Sequence, residues 1–164
     1  MKIKGRFKVS IFDKSGKLKE ILRIPNGVVN DGLIKILDVM FHGDSQISTW
    51  YIGLINGSSP VLAATDVMIS HPGWTENQNY SEGTRQAWVE AAAALVSGTV
   101  KMLTTTEATF SINTNGQTIG GIFITSDNTK GGTTGILWST AAFGTAKSLD
   151  NGDTLKVEYE IAVS

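Results

Sequence analysis

The chain has 164 residues, no cysteine and a formal net charge of −1, and charged residues make up 18% of it. That length suits one domain able to bury about 70% of its unfolded surface, so disulfides are not needed, and without cysteine no thiolate metal site can form. A charge density below the usual ~25% argues against the concentrated positive field that nucleic acid requires, and no run of about 18 apolar residues is present to span a membrane.

From the N-terminus, Phe7, Val9 and Ile11 alternate with Arg6, Lys8 and Ser10. This is the period-2 pattern of a half-buried strand. Asp13-Lys14-Ser15-Gly16 supplies turn chemistry, Leu18 to Ile24 returns as a second strand, and Pro25-Asn26-Gly27 stops it. Eight basic residues fall within the first 23, against only Asp13 and Glu20. Residues 1–29 are therefore expected to form an N-terminal β-ribbon arm, either simply solvated or laid on an acidic partner through Lys2, Lys4, Arg6 and Lys8. The lysine-rich start is not followed by a long apolar block, so no leader peptide is expected.

Asn30 to Phe41 is the one convincing helix, because Leu33, Ile36, Leu37, Met40 and Phe41 form a single apolar stripe. Asn30 is the expected cap, Asp31 suits the positive helix end, and Gly43 marks the stop. The stripe is expected to pack the helix onto the main domain, residues 30–164. His42, beside the helix end, reads as a dipole partner.

β-like punctuation follows. Trp50 to Ile55 is a strong strand, with Asn56-Gly57 as a turn behind it. Val61 to Ser70 is ambiguous, and His71-Pro72-Gly73-Trp74 leaves regular structure. Gln86 to Val89 reads as a strand, while Glu90 to Met102 reads as extended or loop despite its alanines, because Ser97-Gly98-Thr99 breaks it. Glu107–Ile112, Thr118–Thr125 and Ile136–Phe143 follow as strands, with Gly120-Gly121 marking a bulge or a close backbone approach. A polar loop is expected over 144–153, then a last strand alternating Leu155, Val157, Tyr159, Ile161 and Val163 with Lys156, Glu158 and Glu160. Many short strands with regular turn signals predict a mainly β chain, an antiparallel β-sandwich or jelly-roll-like domain carrying one short amphipathic helix.

No pattern assigns a catalytic residue, metal ligand or cofactor. His42 and His71 have no spacing that implies a partner, the carboxylates are scattered, and Glu158 and Glu160 share a face with Lys156. Asp150-Asn151-Gly152-Asp153 lacks the distal acid of a calcium loop and reads as a tight turn. In Lys130-Gly131-Gly132-Thr133-Thr134-Gly135 the lysine precedes the glycines, and a β-branched, aromatic strand follows rather than a helix, so it is not a phosphate loop. It reads as a long, flexible, wet connection whose Asp127, Asn128 and Lys130 are candidate partner contacts. Trp50, Trp74, Trp88 and Trp138, with Tyr51 and Tyr80, are either a sugar platform or core. Trp74 is the candidate aromatic anchor that pins a long loop.

The stretches Asn26-Gly27-Val28-Val29-Asn30-Asp31-Gly32-Leu33, Leu37-Asp38-Val39-Met40-Phe41 and Trp50-Tyr51-Ile52-Gly53-Leu54 resemble small virion proteins of tailed bacteriophages. So do Ser70 to Glu76, Tyr80-Ser81-Glu82, Arg85 to Trp88 and Ile119 to Leu137, a likeness spread over nearly the whole chain. It implies a non-enzymatic capsid cement or decoration protein, made in the bacterial host cytoplasm. Such a protein sits on the virion's capsid surface, bound to the major capsid protein as a homo-oligomer or as part of the lattice. A tail or fibre component with a carbohydrate-recognition role is the alternative, and a small hydrolase built on His71 or a carboxylate pair is the third reading.

Overall fold

The computed structural model describes residues 2–164. In chain order the elements are β1 (Ile3–Phe12), β2 (Leu18–Val28), α1 (Asn30–Phe41), β3 (Trp50–Asn56), β4 (Glu76–Asn77) and β5 (Gln86–Glu90). Then come β6 (Ala94–Val96), β7 (Thr99–Thr106), β8 (Ala108–Ser111), β9 (Gln117–Thr125), β10 (Leu137–Leu149) and β11 (Thr154–Val163). The chain is mainly β and antiparallel, as its alternation predicts, but it is neither a sandwich nor a jelly roll. Eight strands close into a barrel in the order β1-β2-β10-β9-β3-β5-β7-β11, with β11 returning to β1. The closing seam is β7 on β11, from Leu103 opposite Glu160 to Val100 opposite Val163. Closure removes the exposed edges that a sandwich must protect by other means.

β1 is part of the wall, not an arm. It pairs along its whole length with β11, from Ile3 opposite Val163 to Phe12 opposite Thr154, and with β2 on its other side. β2 in turn hands the ring on to β10 at Gly27 and Val28. The same alternation that suits a ribbon suits a barrel stave. Phe7, Val9 and Ile11 face Tyr159, Val157 and Leu155 across the β1–β11 pair, and all six are buried. Each such side chain contributes about 1.5–3 kcal/mol by leaving water.

One further expectation gains detail and two are revised. Within 90–102 the Ser97-Gly98 break is a hairpin turn: both residues have positive φ (49° and 77°), and the turn joins β6 to β7. The polar segment after Phe143 stays in β10 to Leu149, with a bulge between Ala142 and Lys147 that re-engages β9. Asn30 does not cap α1. The N-cap is Val29, which makes no side-chain capping bond, and the Asn30 N–H donates to the Ala64 carbonyl at 2.9 Å.

The barrel has two cores. Inside lies the large cluster just described, with a polar strut through it: Trp138 Nε1 and Asn26 Nδ2 both donate to the Tyr159 hydroxyl, at 2.9 and 3.0 Å. Gly5 makes room for this strut, since a Cβ there would meet Asn26 Oδ1 at 1.8 Å and the Tyr159 oxygen at 2.3 Å. Outside the wall, the Phe123 ring on β9 fills the space that a side chain at Gly53 on β3 would need, and it is covered by Trp74, Met68, Ile55, Leu137 and Val29. The segment between β3 and β4 folds back to form this cover, held by Asn56 N–H to Thr75 O and Val61 N–H to Gly73 O.

Candidate functional site

The charged candidates on β1 are largely spent within the fold. Strand register sets Arg6 opposite Glu160 and Lys8 opposite Glu158. Arg6 reaches Glu160 at 2.9 Å, Lys8 pairs with Glu158, and Lys101 approaches Glu160 from β7 at 3.8 Å. The acids that read as a solvated face are therefore the counter-charges of the basic stripe. Lys2 and Lys4 stay exposed, and the Lys2 backbone pairs with Ser164.

The loop 126–136 is anchored rather than loose. Arg85, fully buried, forks its guanidinium onto Glu76 and also donates to the backbone carbonyls of Asp127 (3.0 Å) and Gly132 (2.7 Å). The Arg85 backbone N–H donates to the Asn128 carbonyl, leaving the Asn128 side chain exposed. Lys130 turns inward, donating to the carbonyls of Tyr80 (2.9 Å) and Glu82 (2.7 Å) with its ammonium 4.2 Å from the Tyr80 ring centre. The Asp127 carboxylate accepts from the Thr129 N–H and the Thr134 hydroxyl. The Thr134 hydroxyl, and after it Thr129, hold the Asp127 carboxyl below its ordinary range. Sequence reasoning passed over Arg85, which organises this loop. A lone arginine before a strand carries no local signal of a partner 42 residues away.

Trp74 is buried. Its Nε1 donates to Asp66 Oδ2 at 3.0 Å, the His71 ring stacks on it at 3.8 Å, and Phe123 lies beneath it at 5.0 Å. His71 Nδ1 is 2.9 Å from the Trp74 carbonyl oxygen, which fixes the ring proton there. The arrangement pins the 57–75 segment over the outer core. His42 serves as the C-cap of α1, its own N–H donating to Asp38 O.

The helix presents an unexpected surface. Its bounds match the expectation, but its apolar stripe faces the wrong way for a packed helix. Gly32 is its buried residue, and Ile36 packs on the core beside it. Ile34, Leu37, Met40 and Phe41 are 57%, 54%, 67% and 81% exposed. Gly32 sets this orientation, because a Cβ there would sit 2.8 Å from both Trp138 Cε3 and the Trp138 carbonyl oxygen. The Asp31 carboxylate fixes the same end by accepting the Leu137 N–H at 2.8 Å. Below the helix, at the barrel mouth, is a cavity of about 420 Å³.

Among the described residues no group of three or more His, Asp or Glu could hold a metal ion, and no helix is long and apolar enough to cross a membrane. Fold and surface together define a closed antiparallel β-barrel with internally anchored loops and an uncovered apolar helix at one mouth. No known protein family matches the chain, and no curated protein matches it.

Proposed function

We propose that this chain is a non-enzymatic structural protein of a tailed-phage virion, binding and stabilising the capsid lattice as a cement or decoration protein. The observation that carries the reading is the outer face of α1. Ile34, Leu37, Met40 and Phe41 stand 54–81% exposed along one helix, whereas the exposed apolar side chains of the barrel staves, Leu18, Ile21, Val89 and Val100, are only 39–46% exposed. A contiguous apolar patch of this kind marks a contact surface. The barrel behind it is stiff, so little ordering entropy opposes docking. Many copies on a symmetric shell would then add their contacts through effective concentration.

This moves the proposed contact from the N-terminal strand to the helix. Arg6 and Lys8 face their own carboxylates and have little net field to offer an acidic partner. The carbohydrate alternative is weaker on the same grounds: Trp74, Trp88 and Trp138 are each no more than 5% exposed and offer no open indole face for a sugar. The test is the copy number of this chain in purified particles. Hundreds of copies support a shell protein, a few copies would favour the tail, and absence from particles would end both virion readings.

A further inference from the structure

The barrel mouth beneath α1 is built differently from the rest of the surface. Its floor is three of the four tryptophans, Trp50, Trp88 and Trp138. The polar edges of two of them are already satisfied inside the barrel: Trp88 Nε1 donates to Thr104 Oγ1 at 2.8 Å, and Trp138 Nε1 donates to the Tyr159 hydroxyl at 2.9 Å. What these two rings offer the mouth is carbon. Met102 and Ile161 form the wall, and Ile36 and Met40 of α1 form the roof.

The helix cannot settle further in and close the space. Gly32 already touches Trp138, Asp31 is tied to the Leu137 N–H, and the chain after the helix is held by the Lys35–Asp44 ion pair. The remaining cavity, about 420 Å³, lies within the range of small-molecule sites. Its polar lining is Gln46, Ser48 and Glu90, and Glu90 is the one ionisable side chain among the residues that line it. Water gains few partners against such walls.

We propose that this mouth is a binding site for a small molecule with an apolar, aromatic body and no negative charge, whose hydrogen-bond-donating or cationic end meets Glu90. The partly exposed Trp50 supplies the stacking area, the nearly buried Trp88 and Trp138 back it with carbon, and the methionines adapt to the ligand's outline. Glu90 is exposed, so it would repel an anionic end through a partly screened field, with no compensating cation in the lining. The proposal does not depend on the virion reading: Met40 is shared with the exposed face of α1, but the floor and Glu90 are not part of that face.

The test uses two dyes with the same ring system, neutral N-phenyl-1-naphthylamine and its anionic relative 8-anilino-1-naphthalenesulfonate, titrated into the full chain while tryptophan emission is followed. The neutral dye is expected to bind one per chain, saturably, and to quench the tryptophans, with the sulfonate weaker by roughly tenfold or more. Met102→Trp, or Ile161→Trp if the first variant melts, fills the site and should weaken the neutral dye at least roughly tenfold. Glu90→Gln should narrow the gap between the dyes. Leu37→Lys/Phe41→Lys, which alters only the outer helix face, should leave neutral-dye binding unchanged. Absence of saturable binding overturns the proposal, as does binding lost in the helix-face variant but kept in folded Met102→Trp or Ile161→Trp. Equal affinity for the two dyes overturns the assignment of ligand charge.

Discussion

Arg85 and Glu76 meet as a two-pronged ion pair inside the protein, Nε to Oε1 at 3.0 Å and Nη2 to Oε2 at 2.8 Å, with side chains 0% and 6% exposed. Two of the three remaining guanidinium hydrogens go to the Asp127 and Gly132 carbonyls of the 126–136 loop, and the Phe123 ring lies 5.2 Å away. The pair itself spans nine residues, and it ties that segment to a loop more than 40 residues further along the chain. Arg85→Ala would strand a buried carboxylate and free the loop carbonyls, so a loss of about 3–5 kcal/mol is expected in urea unfolding. Amide exchange should rise first in 126–136. Unchanged protection there would mean that the loop is held by something else.

Gly32 sits directly against Trp138 and sets which way α1 faces. Gly32→Ala adds a methyl where the gap to the indole and to backbone is 2.8 Å. The improved helix propensity is worth up to about 1 kcal/mol, but overpacking against backbone costs about 1–3 kcal/mol and should win. The expected signature is lower stability, with the Trp138 environment changed in near-ultraviolet circular dichroism. A gain in stability would show that α1 is free to move outward.

The acid limb follows from Asp127, Asp13 and Asp44, each held below its ordinary carboxyl pKa of 3.8. The main causes are hydrogen bonds from the Thr134 hydroxyl, the Ser15 hydroxyl and the Lys35 ammonium respectively. A folded-state pKa lower than the unfolded one gives stability that is present above about 3.8 and is lost as pH falls through the depressed folded values. Denaturation midpoints should therefore fall below pH 4, and Asp127→Asn should make that fall shallower. A parallel curve for the variant would remove Asp127 from the account.

At the alkaline end the signs reverse. Burial raises the phenol pKa of Tyr159 and of Tyr80 above the ordinary 10.0, with the Glu76 charge adding to the effect at Tyr80. Their stabilising contribution is complete below pH 10 and is lost as pH climbs through the raised folded values. Phenolate absorbance at pH 10–11 should report fewer ionised tyrosines in the native protein than after unfolding. Full ionisation at pH 10–11 in folded protein would contradict the buried strut.

Much of the secondary structure was legible in the residues. The bounds of α1 follow from its 3.6-residue stripe, and β3, β5, β9 and β11 follow from their apolar runs and turns. Barrel closure was not legible, because Phe7-Lys8-Val9 alternates identically in a sandwich, a ribbon and a stave. Only the pairing of β1 with β11, some 150 residues away, distinguishes them. The same pairing turns a basic arm into a set of neutralised cross-strand pairs. A helical stripe gives a face but no direction, and Gly32, a residue without a side chain, decides which way α1 faces. Arg85 was passed over because its partners are remote and mostly backbone.

Since Arg6 and Lys8 are already paired, docking through α1 should depend little on salt. Binding to particles that persists from low to high ionic strength is expected. A steep decline would return the contact to the exposed lysines, Lys2 and Lys4 among them.

The outer face of α1 is best tested by reconstitution. Purified wild-type chain and Leu37→Asp/Phe41→Asp are mixed with particles lacking the protein and sedimented. Both substitutions are at exposed positions and should change stability by no more than about 0.5 kcal/mol each. The account predicts saturable binding of the wild type at a stoichiometry set by the shell, and at least a roughly tenfold weaker association for the folded double variant. Equal binding by the two proteins would contradict it.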